Sequence, residues 1–155
     1  LSRANSQLAD LERSDEVLVL FQGETAYVSP SLYASKKIHA KVVPTWNYCV
    51  LEARGVAHLH MDPQWLRTQI GDLTTQMEQG RERPWDISDA PSAFTEAQVR
   101  GIVGVSISLT SLAAKFKLSQ NRPEIDREGL VQGMAETDPE MARLMAAHFP
   151  PGTKS

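Results

Sequence analysis

The sequence predicts a mainly β fold, a small barrel with helices at its edges. Three observations point there. Apolar, β-branched and aromatic residues recur in short runs at 16–21, 25–29, 41–51 and 56–60. Residues 101–110 alternate cleanly, with Val103, Val105, Ile107 and Leu109 facing one way and Gly104, Ser106 and Ser108 the other. Helix starts, by contrast, occur only between or after these runs.

In chain order, Glu16–Phe21 reads as a buried strand, Gln22-Gly23-Glu24 as a break, and Thr25–Ser29 as the second arm of a hairpin. Pro30–Ala40 reads as loop and Lys41–Leu51 as a strand in which Pro44 demands an edge or a bulge. Ala53-Arg54-Gly55 reads as a turn into Val56–His60. Asp62-Pro63 opens a helix, with Asp as cap and Pro at its first position. Leu66, Ile70, Leu73 and Met77 fall on one face of it, and Gly80 closes it. An irregular link through Pro84-Trp85 leads to a short helix at 92–100. The alternating strand follows, and 113–118 pairs with it as the next strand. Asn121, with Glu124 three residues on, reads as the cap of a short helix, and Asp138-Pro139 starts a last one running to His148. The expected organisation is a barrel domain over 1–134 and a C-terminal helix and tail over 135–155. Leu1-Ser2-Arg3-Ala4-Asn5 reads as the middle of a strand.

The chain has 155 residues, enough for one domain with a real core, and 41% of them are hydrophobic. A net charge of −3 argues against wholesale electrostatic binding to nucleic acid, which needs a clustered basic surface. The single cysteine, Cys49, rules out an intrachain disulfide and reads as a buried, inert thiol; the cytoplasm is the expected compartment. No stretch approaches the roughly 18 apolar residues of a membrane span, so no membrane partner is expected.

Two segments carry candidate chemistry. In Val43-Pro44-Thr45-Trp46-Asn47-Tyr48, alternation puts Thr45 and Asn47 on one face and Trp46 on the other. The segment is either an ordinary strand with Trp46 in the core and its polar groups in water, or a surface for a flat, hydrogen-bonding ligand. In Lys115-Phe116-Lys117-Leu118-Ser119-Gln120, Lys115, Lys117 and Ser119 share a face, as a solvated strand or as a phosphate site. Tyr27, Ser29 and Tyr33, with Lys36 and Lys37 nearby, could add rings and positive charge. His58, His60 and Asp62 are too few for a metal site, and no metal is expected. No nucleophile triad, P-loop, Rossmann glycine motif or helix-turn-helix pattern appears, and no catalytic residue is assigned.

These segments, with Arg3-Ala4-Asn5, Val19–Gly23, Ala26–Ser31, Pro84-Trp85, Asp89-Ala90-Pro91 and Ile102-Val103-Gly104, resemble the PaiB-type family of bacterial FMN-binding negative transcriptional regulators. The likeness runs from residue 1 to about Met134; the blocks at 43–48 and 117–121 are specific and the others supportive. It implies an FMN-binding split β-barrel, whose strands upstream of the Arg3-Ala4-Asn5 segment are then expected to be missing here, and a homodimer with FMN at the subunit interface. It also implies a regulator for which DNA is a possible partner; a flavin-dependent oxidoreductase of the same fold is the alternative. The implied cofactor-binding residues are Arg3, Asn5, Tyr27, Ser29, Thr45, Trp46, Asn47, Lys117, Ser119 and Gln120. Thr45, Asn47 and Gln120 would meet the ring or ribityl chain, and Arg3, Lys117 and Ser119 the phosphate. The chain departs from the family pattern at Ser6, Leu32, Leu51-Glu52 and Ala114.

Overall fold

In the computed structural model of the chain, residues 1–149 are described. Helix α1 spans Gln7–Arg13, β1 Val17–Val28, α2 Lys36–His39, β2 Thr45–His60, α3 Pro63–Glu78, α4 Ser92–Arg100, β3 Gly104–Lys117, α5 Glu124–Thr137 and α6 Pro139–His148. The three strands form one antiparallel sheet in the order β1-β2-β3. Helical residues outnumber strand residues among those described, so the expected β majority is corrected. Helices α1 and α2 were not expected, and α5, which the sequence suggested only as a short helix, runs for 14 residues.

The expected breaks in the strands are the main correction. Gln22-Gly23-Glu24 is not a turn, because β1 runs straight through it. A Cβ on Gly23 would stand 3.2 Å from the Cβ of Cys49, so the glycine marks a close approach to β2. Ala53-Arg54-Gly55 is likewise the middle of β2. There a Cβ on Gly55 would collide with the Ser108 carbonyl oxygen of β3 and reach 2.8 Å from the Ile107 side chain. The two strands expected at 101–110 and 113–118 are the single β3. Pro44 lies just before β2, where its missing N–H costs no ladder bond. Part of the 30–40 loop is helical, a 3-10 turn at Pro30–Leu32 and then α2. Asn121 caps nothing: Pro123 stands at the start of α5, with its φ of −54° already suited to a helix.

Contacts divide the chain into two compact units, and each long strand contributes residues to both. The first comprises Leu1–Leu18 and Arg54–Ser111. Its first residues pair with the chain before β3. Ser2 bridges Ile102, Val103 N–H donates to the Leu1 carbonyl at 2.8 Å, and Arg3 N–H to that of Gly101 at 2.9 Å. Helix α3 starts as expected, the Asp62 carboxylate accepting from the N–H groups of Gln64 and Trp65. Its first turns anchor it. Leu66 is buried, and the Trp65 ring stacks on His60 at 4.0 Å and lies over Gly104, where any side chain would strike it. The stripe fades along the helix, and Leu73 and Met77 are exposed. Leu109 is exposed too, although the alternation had it facing with Val103.

The second unit comprises Val19–Ala53 and the chain from Leu112 onward. Helices α5 and α6 pack against each other and bury Leu130, Met134, Met141, Ala142 and Met145 with Ala26, Val28, Cys49, Tyr33 and Leu118. Asp138 caps α6 as expected, accepting from Met141 N–H at 3.1 Å. Asp126, buried on α5, accepts from the backbone N–H and the hydroxyl of Ser35 at 2.8 and 2.7 Å. That pair ties the 29–40 segment to α5.

Two predictions follow from the packing. Gly55→Ala should lower unfolding free energy in urea by about 2 kcal/mol, the cost of forcing atoms into a filled core. Gly71→Ala, in α3 with open space around it, should raise it by about 0.5–1 kcal/mol. Burial, and secondarily Glu24, pushes the Cys49 thiol above its ordinary value of 9.0. The folded state thus disfavours the thiolate. Its effect on stability is absent below pH 9 and becomes a loss as pH rises through the folded value. Iodoacetamide at neutral pH should therefore label Cys49 only after unfolding, as read by mass spectrometry.

Candidate functional site

The period-two geometry of the strands separates a covered face from an open one in the second unit. On β1, Ala26 and Val28 point into the core and Tyr27 points out, 51% exposed. On β2, Asn47 and Cys49 point in, while Trp46 is 55% exposed and Tyr48 half-buried. On β3, Phe116 stacks on His148 of α6 at 5.1 Å, so Lys115 and Lys117 fall on the opposite side. The open face therefore carries Tyr27, Trp46, Tyr48, Lys115 and Lys117. Tyr27 meets Trp46 edge to face, with centroids 5.7 Å apart. The ammonium groups of Lys115 and Lys117 lie 5.9 and 5.8 Å from the Tyr48 ring centre.

Lys117 is held in place. Its ammonium donates to the Thr45 hydroxyl at 2.7 Å and to the Trp46 carbonyl. Neither Lys117 nor Lys115 has a carboxylate partner among the described residues. Two uncompensated cations beside exposed aromatic faces form a surface suited to a flat anion.

Behind that surface lies a buried polar knot. Asn47, wholly buried, accepts from the Ser119 hydroxyl at 2.9 Å, and its amide approaches the Met145 sulfur at 3.4 Å. Ser119 has φ +65°, a left-handed kink that takes the chain off β3 and turns its side chain inward. Gln120 completes the turn, accepting from Leu118 N–H at 2.8 Å and donating to the Phe116 carbonyl at 2.7 Å. Alternation thus placed Asn47 opposite Trp46, whereas the Thr45 hydroxyl, at the first position of β2, meets the Lys117 ammonium of the open face. The faces are reversed from the ordinary-strand reading, with Asn47 inside and Trp46 in solvent. Ser119 leaves the face it was expected to share with Lys115 and Lys117, because the kink breaks the period of two.

Of the residues singled out in the sequence, Thr45, Trp46, Asn47, Lys117, Ser119 and Gln120 come together here, with Tyr27 alongside. Ser29 is used locally: its hydroxyl accepts from Ser31 N–H at 3.2 Å. Tyr33 is buried with its hydroxyl unbonded, and Arg122 stacks on its ring at 4.6 Å, so it offers no open face. Arg3 and Asn5 belong to the first unit, where the Asn5 side chain accepts from Gln7 N–H at 2.9 Å. His58 and His60 of the same unit contact Ser108 and Ser106 at 3.1 and 2.7 Å, and no group of metal-binding side chains occurs among the described residues. Tyr48 was overlooked as a site residue, although it shares Trp46's parity along β2.

The family described as "Putative FMN-binding domain" matches residues 1–111. An uncharacterized protein of Emericella nidulans is 37% identical over 147 residues, 88% of this chain and 59% of that protein. One of Aspergillus fumigatus is also 37% identical, over 93% of this chain and 61% of its own length. The Bacillus subtilis protease synthase and sporulation protein PAI 2 is 32% identical over 92% of this chain and 66% of its own length. The matches span fungi as well as bacteria, and the chain covers about three fifths of the length of the first two relatives. No helix among the described residues is long and apolar enough to cross a membrane. The match over 1–111, reinforced by these relatives, establishes that the chain belongs to the FMN-binding domain family.

Proposed function

We propose that the open face of the second unit holds FMN and that the protein works as a flavin-binding regulator. The observation that carries this reading is the Lys117 ammonium. It is fixed by Thr45 and the Trp46 carbonyl, unpaired, and set beside Tyr48 in a chain of net charge −3. The donor set fits the group: Lys117 and Lys115 suit the phosphate, and the exposed rings of Trp46 and Tyr27 suit the isoalloxazine. Asn47, Ser119 and Gln120 support the turn that follows Lys117. When bound, FMN supplies a redox-active ring, while these residues bind and orient it. The regulatory role rests on the name of the Bacillus subtilis relative.

Two finer features belong to the same proposal. The sheet is part of a split barrel, a reading supported by three long antiparallel strands of 12, 16 and 14 residues and by the family match. The active form is a homodimer, supported by Leu20 and Phe21 of edge strand β1, which are 60% and 55% exposed.

Titration with FMN, followed by visible absorption and tryptophan fluorescence, should give a saturable flavin spectrum with quenching of Trp46. Lys117→Ala should weaken affinity at least tenfold, as expected for loss of a charge-assisted phosphate bond worth about 1.5–3 kcal/mol. Trp46→Phe should remove most of the quenching. Unchanged affinity in Lys117→Ala would overturn the phosphate assignment. Light scattering should give twice the monomer mass for the wild type and the monomer mass for Phe21→Glu.

A further inference from the structure

The first unit contains a basic pocket that the flavin reading does not use. It is a cavity of about 240 Å3 between the chain start, the first turns of α3 and the last turn of α4, lined by Arg3, Arg67, Arg100, Glu96, Met61 and Val99 among others. Arg67 pairs with Glu96 at 3.5 Å, so one positive charge is compensated. The guanidinium groups of Arg3 and Arg100 have no carboxylate or hydrogen-bond partner among the described residues. Arg100 gains something from the C-terminus of α4, where a helix favours a cation. Arg3 has no such support.

Three guanidiniums against one carboxylate leave a surplus of two positive charges around one cavity. In a chain of net charge −3, that concentration runs against the overall balance. Guanidinium groups offer paired N–H donors matched to carboxylate and phosphate oxygens. Val99, only 2% exposed, and Met61 give the cavity an apolar wall. We propose that this pocket binds a small organic anion, a carboxylate or phosphate monoester with a short apolar portion. Arg3 and Arg100 grip its oxygens, and Arg67 is fixed beside them by Glu96. The ligand is independent of FMN.

The test is a titration of the full chain with inorganic phosphate, with and without excess FMN, following the arginine Nε–H signals by NMR. Saturable shifts of at least two of these signals are expected, with the same midpoint in both series. Arg3→Gln and Arg100→Gln should each raise that midpoint at least fivefold. Arg143→Gln, whose guanidinium sits on α6 beside Glu140, should not change it. Amide spectra of the variants verify that each is folded. Absence of saturable shifts, or midpoints unmoved by the Arg3 and Arg100 substitutions, would overturn the proposal. Loss of the shifts in the presence of FMN would also overturn it, assigning the pocket to the flavin's own phosphate. Flavin affinity is read separately from the visible spectrum, so failure here is distinguishable from failure of the flavin reading.

Discussion

Asn47 is the constraint on which the second unit turns. A primary amide with no access to water must find partners inside the protein or forfeit its solvation. It finds the Ser119 hydroxyl, and that bond links the start of β2 to the turn that follows β3. The Met145 sulfur above it belongs to α6, so the same side chain lies where strand and helix meet. Because Asn47 must face inward, its neighbours Trp46 and Tyr48 must face outward. Because Ser119 must reach Asn47, the chain kinks straight after Lys117. The open aromatic and cationic surface is thus the reverse side of a buried hydrogen bond.

The first unit is organised differently. Its sheet residues are small where α3 and neighbouring backbone come close, at Gly55 and Gly104, and the indole of Trp65 fills the space that Gly104 leaves. Apolar burial is modest: Leu66, Val99 and Val103 are the fully covered aliphatic residues described there. Polar contacts supply part of the cohesion, such as His58 with Ser108, His60 with Ser106 and the Thr110 hydroxyl with Glu16. The contrast is between a unit held by methionine-rich helix packing and one held by close backbone approach and ring stacking.

The starts of α3 and α6 were legible because their cause is local. Asp62-Pro63 and Asp138-Pro139 carry both the acceptor and the fixed φ within two or three residues. Strand ends were not. Gly23 and Gly55 look like turns in one dimension, since glycine serves both tight turns and crowded strands, and only Cys49 and Ser108 on adjacent strands decide between them. The candidate site was half legible. Alternation assigned Trp46 and Asn47 to opposite faces, but which face is the core depends on α5 and α6, far along the chain. Lys117 stood out as a cation in a specific block. That Ser119 would turn inward depended on a left-handed residue that nothing in the spelling of the chain announces.

The tethering of Lys117 bears on when an entropic cost is met. A lysine on a free stem carries about 2 kcal/mol of rotamer freedom, lost at the moment it grips an anion. Here the Thr45 hydroxyl and the Trp46 carbonyl have already immobilised the stem, so much of that loss falls in folding rather than in ligand capture. A phosphate bound there, as proposed, would meet the ammonium as a nearly rigid group, closer in behaviour to an arginine fork than to a mobile surface amine.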